Sequence, residues 1–396
     1  MHHPSPIDAA VDSLADELTR VRRHLHANPE PSGEEFETTR FVAARLADAG
    51  VPHRVVPNRR GVIAESPAPP GTPRVGIRGD MDALRIADGK SVPYCSTVPG
   101  VMHACGHDAH TTIALGAAIA LWECRDEVPF AWRVIFQPSE ETAVGAEEMV
   151  EAGATEDVDF ILAAHVDPDR PVGEIGVRSG PLTASCRELS VKFHGHGGHS
   201  ARPHQTADPI AAAVRFISTA YERVSRDTDA RHPVVVAFGF IHGGSSPNVI
   251  PDVVSVGGTL RAFSKEHTDE ARVVLDRIAR SVEVLTGVKV ELVVQPGPDA
   301  VVNDPRAVSA IREAGAEVLG PDGVKEILLP SMGGEDFSAY LPRVRGGAMF
   351  RLGVASERIL HAKLHTPLFD IDERALAVGS KILAKSAASL ARLTHP

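Results

Sequence analysis

The chain of 396 residues is too long for one compact core, and its length favours two domains. Hydrophobic residues make up 43% of the chain and charged residues 23%, which is typical of a soluble globular protein. The net charge of -11, without any Lys- or Arg-rich run, argues against a nucleic-acid partner.

The N-terminal sequence has neither the basic nor the apolar region of a secretory signal. No apolar stretch approaches the roughly 20 residues that a membrane span needs. The chain has 4 cysteines, too few for a disulfide scaffold. These features predict reduced thiols, a cytoplasmic location and no membrane partner.

Helical patterns open the chain and are interrupted by the turn-forming stretch Asn28-Pro29-Glu30-Pro31. The first pattern starts at Ile7. The second, Glu34 to Ala49, is amphipathic and is ended by Gly50.

Three short apolar stretches then predict buried strands, each of which leads into an acid or a histidine. They are Arg74 to Arg78 before Asp80 and Asp82, Ala131 to Gln137 before Glu140 and Glu141, and Asp159 to Ala164 before His165. Strands that alternate with helices predict an α/β domain with a mixed, mostly parallel sheet flanked by helices. Because such open sheets bind ligands outside the carboxyl ends of their strands, we expect these side chains to meet there.

The segment before the helix that ends near Trp122 carries residues of metal-ligand type at alternate positions, His103, Cys105 and His107. An extended backbone would direct all three side chains the same way, and Asp108 is expected to cap the following helix. A thiolate beside imidazoles suits a borderline metal such as zinc. The alternative is a loop with a structural histidine and a buried free cysteine.

Adjacent carboxylates at a strand end, Glu140 and Glu141, cannot point the same way and therefore suit two tasks. One can bind a metal while the other takes a proton from water, whose pKa a metal lowers from ~15.7 to about 7. The alternative is a solvated acidic helix start, which the helix dipole favours. The nearby predicted positions of Cys105, His107 and His165 favour the metal site.

The pattern changes near Cys186, where the order strand-helix-strand-strand-helix-strand begins. This order is typical of a ferredoxin-like fold. We therefore expect an inserted α+β ferredoxin-like lid and dimerisation domain at residues 186–296, between catalytic parts at residues 1–185 and 297–396.

Two features of this predicted lid suit substrate binding. Its glycine- and histidine-rich loop, which contains His199, suits donation of a hydrogen bond to an oxyanion, with surface histidines as the alternative. Arg261 suits a clamp on a substrate carboxylate, although a surface ion pair is the commoner role of such a residue.

His361 and His365 have the spacing of a helical zinc pair, but Pro367 prevents a helix there. No Glu follows His361, so the metalloprotease pattern is absent. We take His365 as a candidate ligand and His361 as incidental.

Motifs over nearly the whole chain resemble those of one enzyme family. They are Arg22-Arg-His-Leu-His-Ala-Asn-Pro-Glu30, Gly79-Asp-Met-Asp-Ala-Leu84, Met102-His-Ala-Cys-Gly-His-Asp108, Phe136-Gln-Pro-Ser-Glu-Glu141, Gly197-Gly-His-Ser-Ala-Arg-Pro-His204, Asn248-Val-Ile-Pro251, Met332-Gly-Gly-Glu-Asp-Phe337 and His365-Thr-Pro-Leu-Phe-Asp370. In this order they resemble the metal-dependent amidohydrolases of the aminoacylase/carboxypeptidase family. The similar branch contains hippurate hydrolases, N-acyl-L-amino acid hydrolases and indoleacetyl-amino acid hydrolases.

The resemblance implies a two-metal site for divalent ions such as zinc, manganese, cobalt or nickel. Its implied ligands are Cys105, His107, Glu141, His165 and His365. It further implies Glu140 as the general base and Asp82 as a carboxylate that supports the ligands. His199 resembles the lid histidine that steadies the oxyanion, often across a dimer interface, and Asn248 and Arg261 match positions that hold the carboxylate end of the substrate.

The function that this resemblance implies is hydrolysis of N-acyl amino acids, such as N-acetyl or N-benzoyl compounds, to a carboxylic acid and a free amino acid. We also expect a homodimer or higher homo-oligomer formed through the lid. The alternatives are a metallo-carboxypeptidase or dipeptidase of the same family and a non-catalytic metal-binding scaffold. The spare base Glu140 argues against the scaffold.

Overall fold

The computed structural model describes residues 5–359 and 361–394, and the chain divides into two compact units. The first unit comprises Met1–Leu182, Val302–Leu329 and Asp336–Pro396. The second comprises Thr183–Val301 and Pro330–Glu335. The second unit thus includes a short glycine-rich stretch that the sequence analysis left in the catalytic domain.

The helices and strands of the described residues follow one another along the chain. In order they are α1 (Pro6–Ser13), α2 (Ala15–Ala27), α3 (Phe36–Asp48), β1 (His53–Val55), β2 (Val62–Glu65), β3 (Arg74–Asp80), α4 (His107–Glu123), β4 (Trp132–Gln137), α5 (Gly145–Glu151), β5 (Val158–Pro171), β6 (Ile175–Val177), β7 (Gly180–Pro181), β8 (Ser185–His194), β9 (Gly198–His199), α6 (Pro209–Asp227), β10 (Val234–Gly243), β11 (Val249–Ile250), β12 (Val253–Ala262), α7 (Lys265–Thr286), β13 (Lys289–Val294), β14 (Val302–Asn303), α8 (Pro305–Leu319), β15 (Val324–Glu326), β16 (Gly346–Ala355) and α9 (Arg374–Thr394).

The first predicted helical pattern forms two helices, α1 and α2, which are separated at Leu14. The side chain of Ser5 accepts a hydrogen bond from the backbone N–H of Asp8, and the Asp8 side chain accepts one from Ser5 in return. This capping box fixes the start of α1.

Within the described part of the first unit, the main sheet has eight strands in the order β1-β2-β4-β3-β5-β16-β6-β15. The pairs β3–β4, β3–β5, β5–β16 and β6–β15 are parallel, whereas β1–β2, β2–β4 and β6–β16 are antiparallel. Every residue of β3 and β4 is buried, as expected for parallel strands covered on both faces. Helices α4 and α9 pack against β3, and α8 packs against β16. The predicted α/β fold class is confirmed.

The second unit has its own core around an antiparallel sheet with the strand order β10-β12-β8-β13. Strand β8 alternates in burial, so Leu189, Val191 and Phe193 face the core. Phe193 meets Phe216 of α6 edge to face, with ring centroids 5.6 Å apart. The side chain of Asp208 caps α6. The strand order and the connection β8-α6-β10-β12-α7-β13 are those of the predicted ferredoxin-like fold.

None of the helices in the part of the chain that the structure describes has the length and apolar composition required to cross a membrane.

Candidate metal centre and active site

The segment before α4 brings Cys105 and His107 to the candidate metal centre but directs His103 elsewhere. The backbone bends at residues 104–106, so the three side chains do not share one side. The ring of His103 is buried with its centroid 6.3 Å from that of His26, whereas Cys105 and His107 lie together. The prediction of an extended segment was therefore wrong.

The start of α4 also differs from the prediction. The helix begins at His107, and its N-cap residue is Gly106 with φ 86°. Asp108, which was expected to cap the helix, is fully buried and accepts a hydrogen bond from Nε of Arg22 at 2.9 Å. A buried arginine competes better for this carboxylate than the backbone N–H groups do, because both ions then lose their isolated charge.

His165 lies inside β5 rather than at its end, because β5 continues its pairing with β16 as far as Asp167 and beyond. The neighbouring strand β3 pairs with β5 only up to Ala163. His165 therefore still lies just past the carboxyl end of β3, where the ligands were expected to meet.

Hydrogen bonds define which ring nitrogens face the site. The carbonyl oxygen of Val166 accepts a bond from Nδ1 of His165 at 2.8 Å, which leaves Nε2 as the nitrogen with the lone pair, 3.6 Å from Sγ of Cys105. Oδ1 of Asp82 accepts a bond from Nδ1 of His107 at 3.0 Å. This leaves the lone pair of His107 Nε2 toward the carboxylates of Glu140 and Glu141, each 3.9 Å away.

The remaining predicted ligands complete two groups that share Cys105. Nε2 of His365 lies 3.4 Å from Sγ of Cys105 and 3.5 Å from Oε1 of Glu141. Cys105, His107 and His165 form one group, and Cys105, Glu141 and His365 form the other, with ligand atoms within 4.8 Å of one another in each. The structure thus brings all the predicted ligands together in the first unit.

Asp82 joins the histidine to the carboxylate turn. Its Oδ1 holds His107, while its Oδ2 accepts the backbone N–H of Glu141 at 3.0 Å. Burial by itself would raise the pKa of Asp82, but the hydrogen bond from His107 lowers it below its ordinary value. The carboxylate is therefore ionised and orients groups on both sides.

Sequence reasoning did not identify His110, which lies one helical turn after His107. Its Nε2 accepts the backbone N–H of Val166 at 2.9 Å, so its Nδ1 carries the proton and donates to Asp80, 2.7 Å away. Arg78 pairs with Asp80 on the other side. This buried chain anchors β5 directly after His165. The i, i+3 spacing from His107 was the signal available in the sequence.

The charges of the site fit a divalent cation. Within the part of the chain that is described, Nε2 of His107 and Oε1 of Glu141 are buried without a hydrogen-bond partner. Burial raises the pKa of the Cys105 thiol and of the Glu141 carboxyl, because each anion loses its hydration. Burial would lower the pKa of His107, yet the carboxylate of Asp80 and the side chain of Cys105 raise it well above its usual value. The negative charge that favours a proton on His107 favours a metal ion at the same place, and thiolate, imidazole and carboxylate are the ligands of borderline divalent metals.

The predicted substrate-binding residues all belong to the second unit. His199 lies on β9, and its Nδ1 accepts the backbone N–H of Ala201 at 3.1 Å, so Nε2 carries the proton and is free to donate. Asn248 lies beside it, because its carbonyl oxygen accepts the N–H of Ser200 at 3.1 Å. Arg261 lies on β12 and donates from Nη1 to the carbonyl oxygen of Met332 at 2.7 Å. Exposed His361 lies near Asp169, with Nε2 3.4 Å from the carboxylate.

A buried thiol-imidazole-carboxylate cluster at the strand ends of an α/β sheet, with a further carboxylate beside it, is the arrangement of a metal-dependent hydrolase. Comparison with known proteins gives the family. Residues 76–389 match the model of peptidase family M20/M25/M40. The chain belongs to this family.

Three relatives are similar over almost the full chain. An N-acetyl-L-cysteine deacetylase of Bacillus subtilis is 35% identical over 384 residues, which covers 96% of this chain and 89% of the relative. An indoleacetyl (IAA)-amino acid hydrolase of Arabidopsis thaliana is 36% identical over 387 residues, with coverage of 96% and 87%. The crystal structure of a dinuclear metal-binding M20 peptidase of Bacillus subtilis superposes with a TM-score of 0.83 at 34% identity, and covers 96% of this chain and 99% of that one.

The chain is therefore a metal-dependent amidohydrolase, and its cluster of ligand side chains supports binding of divalent metal ions. The family that the motifs resembled and the enzyme class are confirmed.

Proposed function

We propose that the protein hydrolyses the amide bond of N-acyl amino acids, with Glu140 as the general base of a two-metal site. The observation that carries this proposal is the spare carboxylate: Glu140 lies 3.9 Å from Nε2 of His107, next to the predicted ligand Glu141. The names of the similar deacetylase and IAA-amino acid hydrolase support the acyl-amino acid substrate class. The dinuclear site of the similar M20 peptidase supports two ions.

In this proposal the ions are held by Cys105, His107, Glu141, His165 and His365. When bound, they supply Lewis-acid activation of water and of the amide carbonyl. Glu140 accepts the proton of the attacking water and later returns it to the nitrogen of the leaving amino acid. Asp82 keeps the Nδ1 proton on His107 and orients its ring.

We assign substrate recognition to three residues of the second unit. His199 stabilises the oxyanion by donating from Nε2, which its bond with Ala201 leaves protonated. Arg261 and Asn248 bind the carboxylate of the amino-acid half, for which a guanidinium group and a side-chain amide are suitable donors.

The experiment is a panel of N-acetyl, N-benzoyl and indoleacetyl amino acids beside dipeptides. Amine release is measured with the purified protein, after chelation, and after addition of zinc, manganese, cobalt or nickel. We expect release from an N-acyl class that stops on chelation and returns with metal. Glu140→Gln is expected to bind metal normally and to lose about 10²- to 10⁴-fold in kcat, because only the proton acceptor is removed.

The matched control is Glu147→Gln, whose side chain is 52% exposed and pairs with Arg343. It should retain wild-type turnover. Wild-type turnover in Glu140→Gln would disprove the base assignment. Cleavage of dipeptides without any action on N-acyl amino acids would favour the second candidate, a peptidase, which the similar M20 peptidase suggests.

A further inference from the structure

The carboxylate turn that holds Glu140 and Glu141 begins at a residue with unusual backbone geometry. Ser139 has φ 56°, and Ala143 at the other end of the turn also has φ 56°. This left-handed region is unfavourable for residues with a Cβ, which adopt it when the surrounding structure enforces it. The direction in which the chain enters Glu140 therefore depends on whatever holds Ser139.

Glu35 makes the contacts that hold Ser139. Its Oε1 accepts the backbone N–H of Ser139 at 2.8 Å and the Oγ–H of the same residue at 3.1 Å. The backbone N–H of Gly33 donates to the same oxygen at 3.0 Å. Both Glu35 and Ser139 are buried, with exposed fractions of 0% and 1%. A carboxylate that accepts several bonds away from water holds its donors firmly.

The other side of the Ser139 hydroxyl is also occupied. Its Oγ accepts bonds from Nη1 of Arg60 and from the N–H of Gly33, both at 3.0 Å. With one bond donated and two accepted, the hydroxyl uses its full capacity. Nη1 of Arg60 also lies 3.4 Å from Oε2 of Glu35, which balances the buried charge.

These contacts are not explained by the helix that Glu35 starts. Glu35 is the N-cap residue of α3, but its side chain makes no capping bond to that helix. It extends instead to the carboxylate turn, about a hundred residues along the chain. Ser32 from the same loop donates to Oδ2 of Asp82 at 2.7 Å, so the loop contacts the site at a second point.

We propose that Glu35 is a positioning residue for the active site: it fixes Ser139 in the left-handed conformation and thereby directs Glu140 and Glu141. The inference rests on the proposed function for the role of Glu140. For Glu141 it makes a separate prediction about metal affinity.

The test uses Glu35→Gln in the full chain, with Glu37→Gln as the control. Gln keeps the size of the side chain but presents an amide where the carboxylate accepts bonds. Glu37 lies on the same helix with a side chain that is 67% exposed. Metal affinity is measured by calorimetric titration of the chelated protein with zinc or manganese. We expect Glu35→Gln to weaken metal binding, and to lower kcat with little change in KM, by about 10- to 100-fold. Glu37→Gln should match the wild type.

Ser139→Gly supplies a rescue that a merely structural role of Glu35 would not allow. Glycine adopts positive φ without strain, so the turn then needs less support from Glu35. We expect the double variant Glu35→Gln/Ser139→Gly to bind metal at least tenfold more tightly than Glu35→Gln alone. If the two changes acted independently, their effects would multiply to within about twofold.

Wild-type metal affinity in Glu35→Gln, or independent effects in the double variant, would overturn the proposal. If Glu35→Gln does not fold, Glu35→Asp takes its place, because it keeps the charge but withdraws it by one methylene group. Failure of the proposed function has a different signature: Glu140→Gln would retain turnover while Glu35→Gln still weakened metal binding and Ser139→Gly restored it.

Discussion

Gly106 lies between two predicted ligands, Cys105 and His107, and sets the direction of both. Its φ is 86°, and a Cβ atom placed there would lie 2.4 Å from Cγ2 of Val166, the residue after His165. Glycine therefore satisfies two requirements at this position, a left-handed backbone and close packing against β5. Because the same residue separates the thiol from the imidazole, a shift there changes the geometry of the site.

Gly106→Ala can be compared with Gly173→Ala to separate these two requirements. Gly173 has φ 95° and open space around the position of a Cβ atom. Backbone strain alone should lower the free energy of unfolding of Gly173→Ala by about 1–2 kcal/mol. Gly106→Ala should lose a further 1–3 kcal/mol, roughly, from the steric contact, and should also bind metal more weakly. Urea unfolding of the chelated protein and metal titration measure both effects. Equal losses in the two variants would show that the contact with Val166 is relieved at no cost.

At the scale of elements, a buried arginine joins α2, α4 and the segment before α9. Arg22 of α2 is fully buried, with Nε 2.9 Å from Asp108 and Nη2 2.8 Å from Asp370. Burial would lower the pKa of Arg22, but the two carboxylates raise it, so the guanidinium group stays charged. These ion pairs hold the start of α4, and with it His107, against its neighbours.

Arg22→Met is expected to lower the free energy of unfolding by about 3–5 kcal/mol, because it leaves buried carboxylates without a counter-charge. The adjacent Arg23 provides the control. It also pairs with Glu373, but its side chain is 47% exposed, and Arg23→Met should cost about 0–1 kcal/mol. Urea unfolding of both variants gives the comparison. A similar small loss in each would mean that water or a rearranged partner compensates Asp108.

At the scale of the whole molecule, each unit has its own core, and the candidate ligands all come from the first unit. They lie far apart in sequence, between Cys105 and His365. A bound metal ion therefore connects the loop before α4, the carboxylate turn, β5 and the segment before α9. Metal binding and the stability of this unit are linked, because the unfolded chain does not preserve the site.

Zinc or manganese at a free concentration 100 times its Kd should stabilise the first unit by about 2.7 kcal/mol per site. Urea unfolding with and without metal measures this gain, and hydrogen exchange should show new protection in α4. The sheet β10-β12-β8-β13 of the second unit supplies an internal reference. Magnesium, which prefers oxygen ligands, should have little effect and is the control ion. Unfolding curves that coincide with and without zinc would contradict a metal site in this unit.

The sequence by itself determined the elements whose signals are local. Helix α8 has the predicted bounds Pro305–Leu319, because the Asp304 cap, Pro305 and the terminal Gly320 all act within a few residues. The strand and helix order of the ferredoxin-like unit was likewise readable from periodicity. Spaced motifs identified the ligand candidates, which the structure gathers in one cluster. The roles of the individual residues remain predictions.

Only the tertiary structure decided which of several suitable residues takes each position. Asp108 has the residue type of a helix cap, yet a buried arginine from α2 draws it into an ion pair. His165 follows an apolar stretch that resembles a strand end, yet pairing with β16 extends β5 past it. Glu35 and His110 carry no local sign of a role beside the site. All these outcomes depend on contacts between residues distant in sequence, and such contacts exist only once the chain has packed.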